Sequence, residues 1–453
     1  MAGMKRNRLI AAAIAVLAAV GVAQFQSGAG EFTQDPNGRA AVETYQIIKE
    51  HYLRKLDAKG LKRVLEGAIR GQVDALDDPF TSYSPPRHTR IRNEDVQGEF
   101  FGIGVVIQAA RPDGTGAKIL TVFRGGPAFR AGLKAGDEIV EVDGEDVTKL
   151  DLFDIVAKIR GPKGTIVEIG VHRKGSRATL RFKIRREKIE IVSVSKAMVT
   201  KDVGYVAIET FLNVKVIDQL KRAIADLKAQ GARKLILDLR DNGGGLLDQG
   251  CQVADAFLDH GVIVYTRSRE VTRPFCEAGP ETAWSGPMVV LVNANTASAS
   301  EIVSGAMQDY RRAKVIGEKT FGKGVGQNVF TLANGGELTL VTFEWLTPKK
   351  RSIHRKGITP DIAVKDTRFP EPLAFEGLGA PAGGEVELIV RDPSGKEIKR
   401  LKARVDADGK FSYSEEVPPR PVSSVPGKAL LDLKHDAILR KGLEVLGEPV
   451  PAP

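Results

Sequence analysis

Between residues 203 and 292 short apolar runs alternate with helical periodicity, and this alternation constrains the fold more than any other feature of the chain. The runs at 203–210, 235–239 and 288–292 are five to eight residues long and rich in Val, Ile and Leu. A helix-period segment at 216–230 separates the first two. Strands alternating with helices build βαβ units, in which the strands run parallel and helices cover the faces. The predicted body is an α/β structure on a mixed, largely parallel sheet.

Two of these runs end in turns that carry chemistry. The run 288–292 stops at Asn293, and a small polar turn, Thr296-Ala-Ser-Ala-Ser300, precedes renewed helical periodicity from Ile302. Ser298 therefore lies at a helix N-terminus, where unpaired backbone N–H groups favour an oxyanion. Lys323 follows in the Gly-rich stretch Phe321-Gly-Lys-Gly324, with Gln327 beyond it. A serine hydroxyl is a weak nucleophile until a base takes its proton. Lysine can serve once burial lowers its pKa from about 10.4. The bland alternative makes Thr296 and Ser298 ordinary N-caps. By chemistry alone Ser300 or Ser304 would serve as well as Ser298. The run 235–239 leads into Asp238-Leu-Arg-Asp-Asn-Gly-Gly-Gly245, a Gly turn opening a helix and hence a ready anion site. It lacks the Lys-Ser/Thr of a P-loop, and no GxGxxG is present.

Further upstream, residues 98–107 form a Gly turn leading into a strand. Gly126-Pro-Ala, Ala131-Gly-Leu133, Gly136-Asp-Glu-Ile and Val142-Asp-Gly144 follow, before a helical stretch from 151 to 159. Together with TASASE, TFGKGVGQ, the DLR-x-N-x-GG turn and a closing TP-x-x-R-x-I…GI-x-PD segment (347–361), this pattern resembles the carboxyl-terminal processing proteases. That family consists of PDZ-containing serine endopeptidases that use Ser–Lys chemistry. LDDPF, at 76–80, departs from the family's Leu-Asp-Pro motif by one extra acid.

The resemblance implies a crotonase/ClpP-like α/β catalytic body with an inserted PDZ domain, an N-terminal helical segment and a small C-terminal β addition. The expected divisions are 1–30, a signal peptide or membrane anchor; 31–94, helical; 95–187, PDZ; 188–366, catalytic; and 367–453, β addition, terminal helix and Pro-rich tail. It implies Ser298 as nucleophile, Lys323 as base and Gln327 as the group orienting the lysine. The oxyanion hole would come from Ala299 with Gly243 or Gly244, a choice the sequence leaves open. The PDZ carboxylate loop would be Phe101-Gly-Ile-Gly104, that is Phe101, Gly102, Ile103 and Gly104. Such a domain takes a peptide C-terminus as an added strand. Arg160, just after the PDZ helix, is either a sensor of peptide occupancy or an exposed cationic helix end.

No cofactor and no metal are expected, since the six histidines show no ligand spacing. The expected partners are protein substrates with apolar or unstructured C-termini, an activating adaptor or peptide, and further copies of the chain. A net charge of +10 permits nucleic-acid binding, but the basic residues are scattered without an Arg-rich arm. Lys5, Arg6 and Arg8 ahead of an apolar run at 9–23 read as an export signal, and membrane contact is expected only through this segment. The protein is thus expected in the periplasm, the cell envelope or the medium. Cys251 and Cys276 can pair if the chain is exported; the sequence does not decide. Ser193-x-x-Lys196 matches a penicillin-binding pattern, but positions three apart on a strand face opposite sides. The alternative from another class is a catalytically silent PDZ scaffold, which would require loss of the serine or the lysine.

Overall fold

A computed structural model describes residues 30–450 apart from 112, 177, 270, 369–373, 392–393 and 415–421. The predicted export signal lies outside the described residues, and no described helix is long and apolar enough to cross a membrane. The described residues form two units, one from 30–85 with 337–339 and one from 86–336 with 340–450.

In the first unit the helical pattern of 38–84 resolves into two helices and a strand. Asp35 caps helix Pro36–His51 by accepting from the Asn37 and Gly38 N–H groups. Asp57 accepts from Gly60 N–H and begins a second helix, Ala58–Asp74. This second cap divides the helical segment into two helices. Strand Ser82–Ser84, which the pattern did not show, pairs antiparallel with Glu337–Thr339.

The second unit opens with helix Pro86–Gln97. A six-stranded antiparallel sheet follows, in the order Val105–Gln108, Ala117–Val122, Glu138–Val142, Ile166–His172, Leu180–Arg185, with the short strand Glu145–Asp146 paired to Glu138–Val142 off this path. Ile119, Ile139, Ile155, Val167 and Ile169 fill its core. Asp151 caps helix Leu152–Ile159 through Asp154 N–H, 2.8 Å. Val105–Gln108 is an edge strand of this sheet. Phe101 and Gly102 fall within strand Glu99–Gly102, paired with Glu187–Glu190. Only Ile103 and Gly104 form the turn ahead of the edge strand, so the expected four-residue loop is shorter than its sequence suggested.

The α/β body is built on a six-stranded sheet ordered Val194–Met198, Val203–Ile208, Lys234–Asp238, Met288–Val292, Lys314–Gly317, Ile362–Ala363. The first pair is antiparallel and the other four are parallel, as the strand–helix alternation predicted. Helices Val216–Ala229, Leu247–Asp255 and Ala299–Asp309 contribute to one core cluster. Helix Ala437–Val445 contributes Ile438, Leu439 and Leu443 to another, with Ile236, Val289, Leu291 and Ile316. Alternating strand residues thus supply the two faces. Ser193 and Lys196 diverge: Ser193 is buried on Asn213, whereas Lys196 pairs with Asp226.

Cys251 and Cys276 form a disulfide, Cα–Cα 6.3 Å, across 25 residues. It ties helix Leu247–Asp255 to Thr272–Glu277, the outer strand of a hairpin, which is exposed apart from Cys276. Closing a loop of that length stabilises by about 3 kcal/mol in the chain-entropy account. Replacing both cysteines by alanine is expected to lower the denaturation midpoint correspondingly, and reduction of the parent should match it. An unchanged midpoint in both would contradict this.

Two two-stranded ladders make the C-terminal β addition. Glu385–Arg391 pairs with Glu397–Arg404, as expected, and Ala374–Leu378 pairs with Lys410–Ser414. Beyond them, Gly427 and Ala429 bond to both backbone groups of Lys196, and Ser424 accepts from Arg124 N–H. This returning segment therefore touches both the body sheet and the antiparallel sheet.

Candidate active site

The turn after strand Met288–Val292 is stitched to the turn after strand Lys234–Asp238. Thr296 Oγ1 donates to Leu239 O, 2.9 Å; Ala297 N–H donates to Asn242 O, 3.0 Å; and Ser300 Oγ donates to Asn242 O, 3.0 Å. Ser300 and Ser304 are fully buried, whereas Ser298 is half-buried. Among the three serines only Ser298 is open to solvent, a distinction invisible in the sequence.

Ser298 carries φ 53° and ψ −117°, a conformation rare for a residue with a side chain and one that must be held by its surroundings. The Gly turn packs directly on it. A Cβ on Gly244, whose φ is +93°, would lie 2.7 Å from Ser298 Cβ and 2.8 Å from Ala299 N. Only glycine fits there. Gly244 N–H is already engaged by Asn242 Oδ1 at 2.9 Å. Ala299 is the first residue of its helix, where N–H groups have no intrahelical acceptor.

Lys323 lies in a loop pinned on several sides. Phe321 N–H donates to Thr296 O at 3.0 Å, and Arg355 N–H donates to Gly322 O at 2.8 Å. Trp345 reaches it twice, through Nε1 to Lys323 O at 3.0 Å and N–H to Gly324 O at 2.9 Å. Lys323 and Gln327 are half-buried, and Gln327 lies on strand Val325–Thr331.

The residue that joins the serine and lysine loops was missed at the sequence level. Glu301, fully buried, accepts from Ser298 N–H at 2.9 Å and Lys323 N–H at 2.8 Å. It also accepts from Gly322 N–H at 2.7 Å and Thr320 Oγ1 at 2.5 Å. Burial raises its carboxyl above the ordinary glutamate range, although these donors pull the other way. Its only sequence signal was an acid three residues after Ser298, which reads as a capping-box residue.

The Gly turn adjoins a buried ion-pair network. Arg240 Nη1 and Nη2 each donate to Asp436 at 2.7 Å, and Nε donates to Asp238 at 2.9 Å. Tyr205 Oη completes Asp238 at 2.7 Å. Asp436 in turn caps the terminal helix through Leu439 N–H. To one side, Asp366 is bonded by Arg368 and Asn293; burial raises its carboxyl, but those partners outweigh it and hold it at about 2.

Arg160 is not an exposed helix end. Its side chain is 12% exposed, stacks on the Phe100 ring at 3.8 Å and bonds Glu94 and Asp95. A cavity of about 720 Å³ runs from the edge strand, at Ile103, Gly104 and Val105, past Val156 and Ile159 to Asp238 and Arg240. Its lining does not include Ser298. His88, Asp151 and Asp154 converge within 4.8 Å. Asp154 there already faces Arg87 at 3.0 Å, and Asp151 serves as the helix cap.

Comparison with known proteins places this geometry in a class. The model of “Peptidase family S41” matches residues 202–364, “PDZ domain” matches 90–171, and “Activating protease CtpB N-terminal domain” matches 21–85. The protein is a serine-type peptidase carrying a PDZ domain. A “Probable CtpA-like serine protease” of Staphylococcus saprophyticus is 36% identical over 405 residues, 88% of this chain and 78% of that one. The “Carboxyl-terminal-processing protease” of Synechocystis sp. is 34% identical over 371 residues, 78% and 85% of the two chains. The chain belongs to the carboxyl-terminal processing proteases of peptidase family S41. Among solved structures it resembles “Photosystem II D1 C-terminal processing protease”, 30% identical, covering 74% of this chain and 88% of that one with a TM-score of 0.44.

Proposed function

We propose that the protein is an exported endopeptidase that recognises protein C-termini through its PDZ domain and cleaves by a Ser–Lys acyl-enzyme mechanism. The observation that carries this reading is the placement of Ser298. It is open to solvent, strained at a helix N-terminus and packed on the Gly turn, with the Lys323 loop bonded to the same carboxylate. Neutral Lys323 takes the hydroxyl proton as Ser298 Oγ attacks the scissile carbonyl. Lys323 then gives the proton to the leaving amine, and water repeats the cycle on the ester. Gln327 orients the lysine amine. Ala299 N–H is one oxyanion donor, and Gly243 is the other, because Gly244 N–H is held by Asn242.

The peptide C-terminus would lie along edge strand Val105–Gln108, with its carboxylate at Ile103 and Gly104 and its apolar side chain toward Val156 and Ile159. The disulfide supports an oxidising compartment and hence export, with the segment 1–30 as signal or anchor. Homo-oligomer formation is supported by apolar side chains exposed in the first unit, among them Ile47 and Leu53. The catalytic body is read as crotonase/ClpP-like, and an adaptor or bound peptide would act through the PDZ groove.

The test uses a reduced, carboxymethylated protein with an apolar C-terminal residue, and the same protein ending in Asp. Cleavage that is chelator-resistant and at least about tenfold faster for the apolar end is expected, a difference of about 1.4 kcal/mol. Equal rates for the two would contradict recognition of the C-terminus.

A further inference from the structure

The proton-transfer scheme leaves Glu301, the buried carboxylate nearest the proposed nucleophile in sequence, without a task. Glu301 is fully excluded from solvent, and no salt bridge to it occurs among the described residues. A buried carboxylate without a counter-charge is costly unless its oxygens are fully hydrogen-bonded. Here they are, and the two oxygens divide the donors. Oε1 receives the Thr320 hydroxyl and Gly322 N–H. Oε2 receives Ser298 N–H and Lys323 N–H.

One oxygen atom therefore spans the main-chain nitrogens of the proposed nucleophile and the proposed base. The main chain adds a second link between the two loops, Phe321 N–H on Thr296 O at 3.0 Å, but that bond reaches neither Ser298 nor Lys323. Ser298 also needs such a tie, because its backbone conformation persists only if neighbours over-determine it.

We propose that Glu301 is a positioning residue for acylation, with Oε2 fixing the separation of Ser298 and Lys323 and Oε1 anchoring the lysine loop. The proposal rests on the Ser–Lys reading. It gives the two oxygens different weights, which a carboxylate with a purely structural role would not have. The Thr320 hydroxyl, which also accepts from Ile358 N–H at 2.6 Å, belongs to the anchoring side.

Three variants of the full chain separate these roles. Glu301→Gln keeps the shape and one acceptor. Its amide N–H can point at the Thr320 oxygen while its carbonyl still faces Ser298 and Lys323. Glu301→Leu removes both acceptors. Thr320→Val removes one donor on the anchoring side only. With a peptide ending in an apolar residue as substrate, kcat is expected to fall about 10-fold in Glu301→Gln and about 10³-fold in Glu301→Leu, with KM within about twofold. Thr320→Val is expected to lower the melting temperature as much as Glu301→Gln yet keep kcat within about threefold. Reaction with a fluorophosphonate probe, located by mass spectrometry, should slow in the same order at Ser298.

Retention of parental kcat by Glu301→Gln together with a loss in Thr320→Val would overturn the proposal. So would a kcat that tracks melting temperature across all three. If Glu301→Leu does not fold, the Gln and Val pair still decides. If the probe marks a residue other than Ser298 in the parent, the Ser–Lys reading falls and takes the proposal with it. A labelled Ser298 with indifferent Glu301 variants sinks the proposal alone.

Discussion

Ser298→Ala and Lys323→Ala are each expected to lower kcat by about 10⁴-fold or more while leaving KM nearly unchanged. The serine variant loses the atom that attacks. The lysine variant leaves a hydroxyl that is almost wholly protonated near neutral pH, so attack needs a proton acceptor that water supplies poorly. Because the two act in one step, the double variant should be no worse than either single one. Neither change should unfold the chain, since the loops stay pinned through main-chain atoms of Ser298, Lys323 and Gly324. Steady-state kinetics on a peptide with an apolar C-terminus, with melting curves alongside, check this. Additive losses in the double variant would mean that the two residues serve separate steps.

Arg240→Met is expected to produce the largest stability loss. It leaves Asp238 and Asp436, 3% and 3% exposed, without their cation. Removing one partner of a buried ion pair typically costs about 3–5 kcal/mol, because a buried charge is left uncompensated. Here the damage extends to the cap of the terminal helix, since Asp436 also accepts from Leu439 N–H. Adding Asp436→Leu removes one of the stranded charges and should recover part of the loss. Hydrogen exchange would report faster opening in strand Lys234–Asp238 and helix Ala437–Val445 than elsewhere. Uniform acceleration, or none, would contradict the ion-pair network's role.

The parts of this fold legible in sequence were those set by local pattern. Apolar runs at 203–210, 235–239 and 288–292 became adjacent parallel strands, because run length and intervening helices admit few other arrangements. Asp238 to Gly245 and Thr296 to Ser300 were recognisable as turns because Gly and small polar residues mark them. Contacts across long separations were not legible. Arg240 meets Asp436 across 196 positions, and nothing near either residue signals the other. Cys251 and Cys276 could not be paired from spacing, because hairpin Val262–Arg267/Thr272–Glu277 decides where the second cysteine returns.

The candidate site divides in the same way. The types and spacing of Ser298, Lys323 and Gln327 were visible; which atoms are free to work was not. Gly243 and Gly244 are indistinguishable in sequence; in the structure the Asn242 side chain engages the Gly244 N–H, and Gly244 alone of the two has no room for a Cβ. Ser300 and Ser304 were chemically equal to Ser298 until burial removed them. Arg160 was placed correctly at the end of its helix, yet its engagement with Glu94, Asp95 and Phe100 depends on how helix Pro86–Gln97 packs.

The central claim is that Ser298 is acylated with Lys323 as its base. Its most direct test is to treat the parent, Lys323→Ala and Ser298→Ala with a fluorophosphonate probe and map the adduct by peptide mass spectrometry. The account predicts a single adduct on Ser298 in the parent, labelling at least about 10³-fold slower in Lys323→Ala, and none in Ser298→Ala. Equal labelling of Ser298 with and without Lys323, or an adduct on any other serine, would contradict it.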